Sequence, residues 1–283
     1  MTILFYMIFL VACFTKPMLS TSTWNRSADI RLSEKHDVPN FFQHGSYEFS
    51  LKKGKKQVHK QCLMKYTLYQ SQRTDPVLVI LSHGFGRNQG HMRQWAKHLA
   101  SWGFSVLTPN HCHIRPSDVN PVLAAEALLL LSKSMVNTRV IYAGFSNGGA
   151  ISIIAGAQDP KAIAVIGLDT TESYQKPTGP FAKRISIPVY GLFGEPSSCN
   201  AMGNGRELYS NITNVFTRAI QTADHCDFES PSGGICYLFC SGPHPKYSRV
   251  ELRHNIISLT TAAALMVSEE NVWGQMWWSP PSN

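Results

Sequence analysis

Past residue 75 the chain alternates short, wholly apolar runs with longer stretches whose apolar residues recur every three or four positions. Val77 to Leu81 (VLVIL) is a continuous apolar run that ends at His83-Gly84. Asn88 to Trp102 has helical spacing, with Met92, Trp95, Leu99 and Trp102 on one side and Gly103 as its stop. Phe104 to Leu107 reads as a second strand, Val122 to Met135 as an Ala/Leu-rich helix, and Val140 to Ala143 as a third strand. Ala150 to Ala157 is small and apolar enough for a buried helix. Ala162 to Leu168, Ile187 to Phe193 and Val215 to Ile220 read as further strands, and Val250 to Val267 as the closing helix. Strands that are apolar throughout are buried on both faces, so this alternation predicts an α/β fold with a mostly parallel central sheet and helices on both sides. Residues 41–70 alternate more loosely and suit antiparallel edge strands.

No internal repeat or linker divides residues 41–270. The reading is one domain over residues 45–270, with a leader over 1–20, an extension over 21–44 and a Trp/Pro-rich tail over 271–283. The leader contains Ile3 to Phe14 (ILFYMIFLVACF), 12 apolar residues. That matches a signal-peptide hydrophobic region and falls short of the roughly 18 residues of a membrane span. An exported protein, periplasmic or extracellular, is the expectation. Leu10-Val11-Ala12-Cys13 also resembles a lipobox, which would anchor the chain to a membrane surface through Cys13.

Composition narrows the partners. Hydrophobic residues make up 43% and charged residues 16%, against the pattern of a disordered chain. The net charge is +8, yet its densest run, Lys52 to Lys60 (KKGKKQVHK), reads as an exposed hairpin and not as a nucleic-acid surface. No nucleic-acid partner is expected, and nothing in the pattern sets an oligomeric state. Besides Cys13 there are six cysteines, Cys62, Cys112, Cys199, Cys226, Cys236 and Cys240. With an export leader these read as disulfides, in one of 15 pairings, ahead of a zinc site, because no CxxC pair is present. Asn25-Arg26-Ser27 and Asn211-Ile212-Thr213 are glycosylation-type triplets, relevant only in a eukaryotic host.

Two motifs carry chemistry. Gly144-Phe145-Ser146-Asn147-Gly148-Gly149 follows the third strand and opens a small apolar helix. Strand, G-x-S-x-G, helix is the context of a nucleophile elbow, a tight turn that lifts the Ser146 hydroxyl above the sheet. Upstream, Ser82-His83-Gly84-Phe85-Gly86 follows the first strong strand. Its glycines let backbone amides face the site, so the amides of Phe85 and Asn147 are the expected oxyanion donors. His83 is expected to orient that loop and not to act as base.

HGFG after one strand and GFSNGG after a later one resemble the α/β-hydrolase fold. Within it the chain resembles the chlorophyllase-like and dienelactone-hydrolase-like group, which is similar to platelet-activating-factor acetylhydrolases and polyester hydrolases. The likeness covers roughly residues 45 to 270, in SHGFGRNQGHMRQWAKHLASWGFSVLTPNH, YAGFSNGGA, AVIGLDTTES and ADHCDFESPS. It implies a serine hydrolase of carboxylic esters with no cofactor and no metal. The acid is contested: the commoner position in the fold points to Glu195, whereas the Leu168-Asp169 context of this group favours Asp169. The order Ser, acid, His leaves His225, His244 and His254, and His225 in ADHCDFESP matches the family segment. Asp224, Asp227 and Glu229 are candidates for ordering its loop.

Cys226 beside His225 raises a thiol alternative, but it lies in no elbow, and a disulfide is expected there, with Cys199 as a candidate partner. Phe85, Phe145 and the tryptophans suggest an apolar acyl or alcohol group, so the expected partner is a small or lipid-like ester. Amide or peptide cleavage by the same triad, and a non-catalytic binding protein on the same fold, are the alternatives.

Overall fold

The computed structural model describes residues 39–115, 118–135, 139–240, 248–269 and 271–278. The leader, Cys13, the Asn25 triplet and His244 lie outside the described residues. Eight strands form one sheet: β1 (Phe49–His59), β2 (Cys62–Ser71), β3 (Leu78–Ser82), β4 (Ser105–Pro109), β5 (Val140–Phe145), β6 (Ala162–Leu168), β7 (Val189–Phe193) and β8 (Val215–Ala219). Their order in space is β1-β2-β4-β3-β5-β6-β7-β8. β1 pairs antiparallel with β2, and β2 antiparallel with β4; every other neighbouring pair is parallel. The basic run Lys52 to Lys60 falls in β1 and its turn, on the sheet edge, where lysines discourage pairing with another strand.

The first helices along the chain are α1 (Arg93–Ser101), α2 (Pro121–Lys133) and α3 (Asn147–Gly156). Two short ones follow, α4 (Gly179–Ala182) and α5 (Gly205–Tyr209), then α6 (Gly234–Cys240), α7 (Arg249–Glu269) and α8 (Val272–Trp278). Alternate strand residues serve opposite cores, as the period-2 geometry of a strand requires. Leu78, Ile80, Tyr142 and Val165 pack with α2 and α3, whereas Val79, Leu81, Ile141 and Ile166 pack with α1 and α7. The fold is therefore α/β, with a mostly parallel sheet covered on both faces. Among the described residues no helix is long and apolar enough to cross a membrane.

Two boundaries differ from the sequence reading. Residues 272–278, expected in a tail, form α8, and Trp278 is buried in the core beneath α7. Its indole Nε1 donates to the Leu259 carbonyl at 2.9 Å, and its ring meets Tyr190 edge-on at 4.9 Å. Phe41, assigned to the extension, is fully buried against Trp102 and Trp277. The first and last of the described segments thus supply aromatic cover that the sheet and α7 would otherwise leave open to water. The single helix expected over Asn88 to Trp102 begins instead as a tight turn, Gln89–Met92, capped by the Asn88 side chain, before α1 starts.

Candidate active site

β5 ends at Phe145 and α3 begins at Asn147, so Ser146 alone makes the turn between them. Its backbone adopts φ 56°, ψ −126°, a conformation that residues other than glycine rarely enter. The glycines around it are sterically required. A Cβ at Gly144 would lie 2.2 Å from the Gly148 carbonyl oxygen, and one at Gly148 would lie 2.6 Å from that of His83. The Ser146 amide donates to the Leu168 carbonyl at 2.9 Å, which ties the turn to β6.

Asp169 follows β6 with φ 44°, and its carboxylate is held by three donors. The Gly194 amide reaches Oδ1 at 3.0 Å, while Asn200 Nδ2 at 3.1 Å and His225 Nδ1 at 2.6 Å reach Oδ2. On the other side of the ring, His225 Nε2 lies 3.0 Å from Ser146 Oγ. A carboxylate only accepts, so Nδ1 carries the ring proton and Nε2 presents its lone pair to the serine hydroxyl. Asp169 and His225 are both buried, and the Phe145 ring packs 4.5 Å from the imidazole. Glu195 does not meet this group. It is exposed, and its Oε1 accepts from the Thr222 amide at 3.0 Å. His254, on α7, stacks on Phe42 at 4.4 Å.

His83 lies beneath the upstream loop. Its Nδ1 donates to the Gly84 carbonyl at 2.9 Å and its Nε2 accepts from the His111 amide at 3.2 Å. Burial lowers its pKa to about 4, so the ring stays neutral and props the loop. Above it the Phe85 side chain is exposed, and Arg87 closes the turn by donating its amide to the Gly84 carbonyl. Among the described residues neither the Phe85 nor the Asn147 amide donates to a protein acceptor.

A cavity of about 300 Å³ opens over Ser146 and His225, with Phe85, Val119 and Phe145 as apolar walls and Thr171, Glu172 and Arg87 as polar ones. The tryptophans do not line it among the described residues. They serve structure instead: Trp95 Nε1 donates to the Phe228 carbonyl at 2.9 Å, behind the histidine turn. Burial pushes the Glu172 carboxyl up, although it accepts from the Ser173 amide and from the amide and hydroxyl of Thr178.

The histidine turn, His225–Phe228, is clamped by acidic residues as its sequence suggested. Asp224 accepts from the Asp227 amide through its carbonyl at 2.9 Å, and Asp227 Oδ2 accepts from the Asp224 amide at 2.9 Å. Arg249 pairs with both carboxylates. Burial raises the fully buried Asp227 carboxyl, and Arg249 opposes that shift. Glu229, also fully buried, takes the Arg87 guanidinium at 2.9 Å.

The disulfides are Cys62–Cys112, Cys199–Cys240 and Cys226–Cys236. Cys226 thus pairs with Cys236 and not with Cys199. Cys236 and Cys240 stand one turn apart on α6, which lets that helix hold both the histidine turn and the turn Ser198–Gly203. The Cys226, Cys236 and Cys240 sulfurs lie within 4.8 Å of one another. Thr171, Asn200 and the Arg87–Glu229 pair went unseen in the sequence. Only Asn200 carried a local hint, its place beside a cysteine in a loop leaving the same sheet edge.

Among solved structures the chain is similar to dienelactone hydrolase from Anabaena variabilis, with a TM-score of 0.54 and 16% identity, covering 68% of this chain and 94% of that one. The chain has the α/β-hydrolase fold. No protein-family model and no curated protein matches the sequence. In this α/β-hydrolase sheet the carboxylate facing the histidine follows β6, the strand next after the Ser146 helix, and not β7, where Glu195 stands.

Proposed function

We propose that the protein is a serine hydrolase that cleaves carboxylic esters through an acyl-enzyme. The observation that carries this reading is the relay from Ser146 Oγ to His225 Nε2 at 3.0 Å and from His225 Nδ1 to Asp169 Oδ2 at 2.6 Å, on a strained elbow facing a cavity. His225 takes the Ser146 proton as Oγ attacks the ester carbonyl, and Asp169 keeps the imidazole in the working tautomer and stabilises it once charged. The amides of Phe85 and Asn147 hold the oxyanion; one such donor typically contributes about 100- to 1000-fold in rate. His225 then protonates the departing alcohol, and a water activated by the same nitrogen releases the acid. Similarity to a dienelactone hydrolase, whose name denotes cleavage of a cyclic ester, favours the same reaction class. Phe85, Phe145 and Val119 suit an apolar portion of a small or lipid-like ester. Three disulfides accord with an exported protein, in line with the apolar leader.

The test combines a fluorophosphonate label with p-nitrophenyl esters of increasing acyl length. Wild-type protein should be labelled at Ser146 and show a chain-length optimum. Ser146→Ala should fold, take no label and retain less than about a thousandth of the turnover. Labelling with turnover of amides alone would shift the reading to amide cleavage; neither labelling nor turnover would leave a binding protein.

A further inference from the structure

Thr171 stands two residues beyond the acid, where the left-handed turn at Asp169 carries the chain back over the elbow. Its amide donates to the Ser146 carbonyl at 3.2 Å, and its Oγ1 lies 3.1 Å from Ser146 Oγ. Both neighbours are anchored. Thr170 Oγ1 bonds the Tyr209 hydroxyl at 2.9 Å, and the Glu172 amide donates to Asn204 Oδ1 at 2.9 Å. The Thr171 hydroxyl is therefore delivered to the nucleophile by a fixed segment and also lines the cavity.

Proton counting sets the direction of the bond. His225 Nδ1 gives its hydrogen to Asp169, which leaves Nε2 an acceptor. Ser146 spends its single hydrogen on Nε2, so Thr171 must be the donor to Ser146 Oγ.

We propose that Thr171 is a further catalytic residue: its hydroxyl donates to Ser146 Oγ and stabilises the negative charge that gathers there as the acyl-enzyme breaks down. This rests on the serine-hydrolase reading above. In that step water, giving a proton to His225 Nε2, adds its oxygen to the acyl carbon. The tetrahedral species then collapses, the bond between the acyl carbon and Oγ breaks, and its electron pair stays on Oγ. The proton on Nε2 passes to Oγ and the acid leaves. Until it arrives Oγ is partly anionic, and hydrogen bonds to charged acceptors are roughly twice as strong as neutral ones. Attack on an activated aryl ester needs little charge on Oγ, because its transition state is early. Expelling Oγ, a poor alkoxide leaving group, needs much more. Thr171 therefore acts chiefly on deacylation.

The experiment compares Thr171→Val and Thr171→Ser with wild type on a p-nitrophenyl ester, with burst kinetics and intact-protein mass. Thr171→Val should lower kcat about tenfold and lower KM in parallel, leaving kcat/KM, which reports acylation, within about threefold. The acyl adduct on Ser146 should accumulate after the burst. Thr171→Ser should restore kcat to within about twofold. An unchanged kcat in Thr171→Val, or kcat and kcat/KM falling together with no adduct, would overturn the role of Thr171 even though fluorophosphonate still labels Ser146. Wild-type protein that takes no label would instead remove the reading on which the proposal stands.

Discussion

Asp169 and Glu195 each follow a strand at the same sheet edge, yet their side chains have different surroundings. Asp169 is buried, and its oxygens receive three donors, the last of them the imidazole. Glu195 is exposed and accepts from the Thr222 amide, a bond that a glutamine carbonyl would also accept. Asp169→Asn offers His225 an amide in place of a carboxylate, so the ring loses the charge that favours its working tautomer. We expect kcat on the preferred ester to fall roughly 10⁴-fold. Glu195→Gln should stay within about threefold of wild type. The reverse ranking would move the acid to Glu195.

At the scale of elements, His225, the proposed general base, sits on a turn of only four residues, His225–Phe228. That turn is held by α6 through Cys226–Cys236, by Arg249 through Asp224 and Asp227, and by Trp95 through the Phe228 carbonyl. The crosslink closes a sequence separation of 10 residues, for which loop-closure entropy corresponds to about 3 kcal/mol of stabilisation. Cys199–Cys240, with a separation of 41, adds the turn that carries Asn200. Reductant should therefore depress both melting temperature and activity, and activity should fail first because His225 must stay within hydrogen-bond reach of Ser146. Parallel melts and ester assays with and without dithiothreitol measure this. Alkylation of Cys226, Cys236 and Cys240 in protein never exposed to reductant would show that these crosslinks do not form.

For the molecule as a whole, three buried histidines couple folding to pH. Burial lowers His83 and His98 to about 4, and takes the buried His111 well below its ordinary range. Folded, all three are neutral near pH 6; unfolded, they take up protons below about 6.5. The stability they contribute is thus complete above pH 6.5 and is lost as pH falls toward 4. The slope is up to ~1.4 kcal/mol per pH unit for each group. Glu172 and Asp227, whose carboxyls burial raises, oppose this trend where they titrate. Urea midpoints at pH 7, 6 and 5 should decline steadily, and a midpoint constant across that range would contradict the histidine linkage.

Features written in neighbouring residues were legible in the sequence. The parallel sheet shows in apolar runs that serve two cores at once, and the elbow in Gly144-Phe145-Ser146-Asn147-Gly148, because the turn's steric demands fall on residues within it. His225 and Asp169 were reached through family resemblance, since 79 and 56 residues separate the partners that meet. Tertiary structure alone decided the pairing of Cys226 with Cys236, the approach of Thr171 to Ser146, and the burial of Trp278 under α7. Each of these depends on where distant segments come to rest once the sheet is built. Local periodicity records which face of an element is apolar, but it does not record what the other segments place against that face.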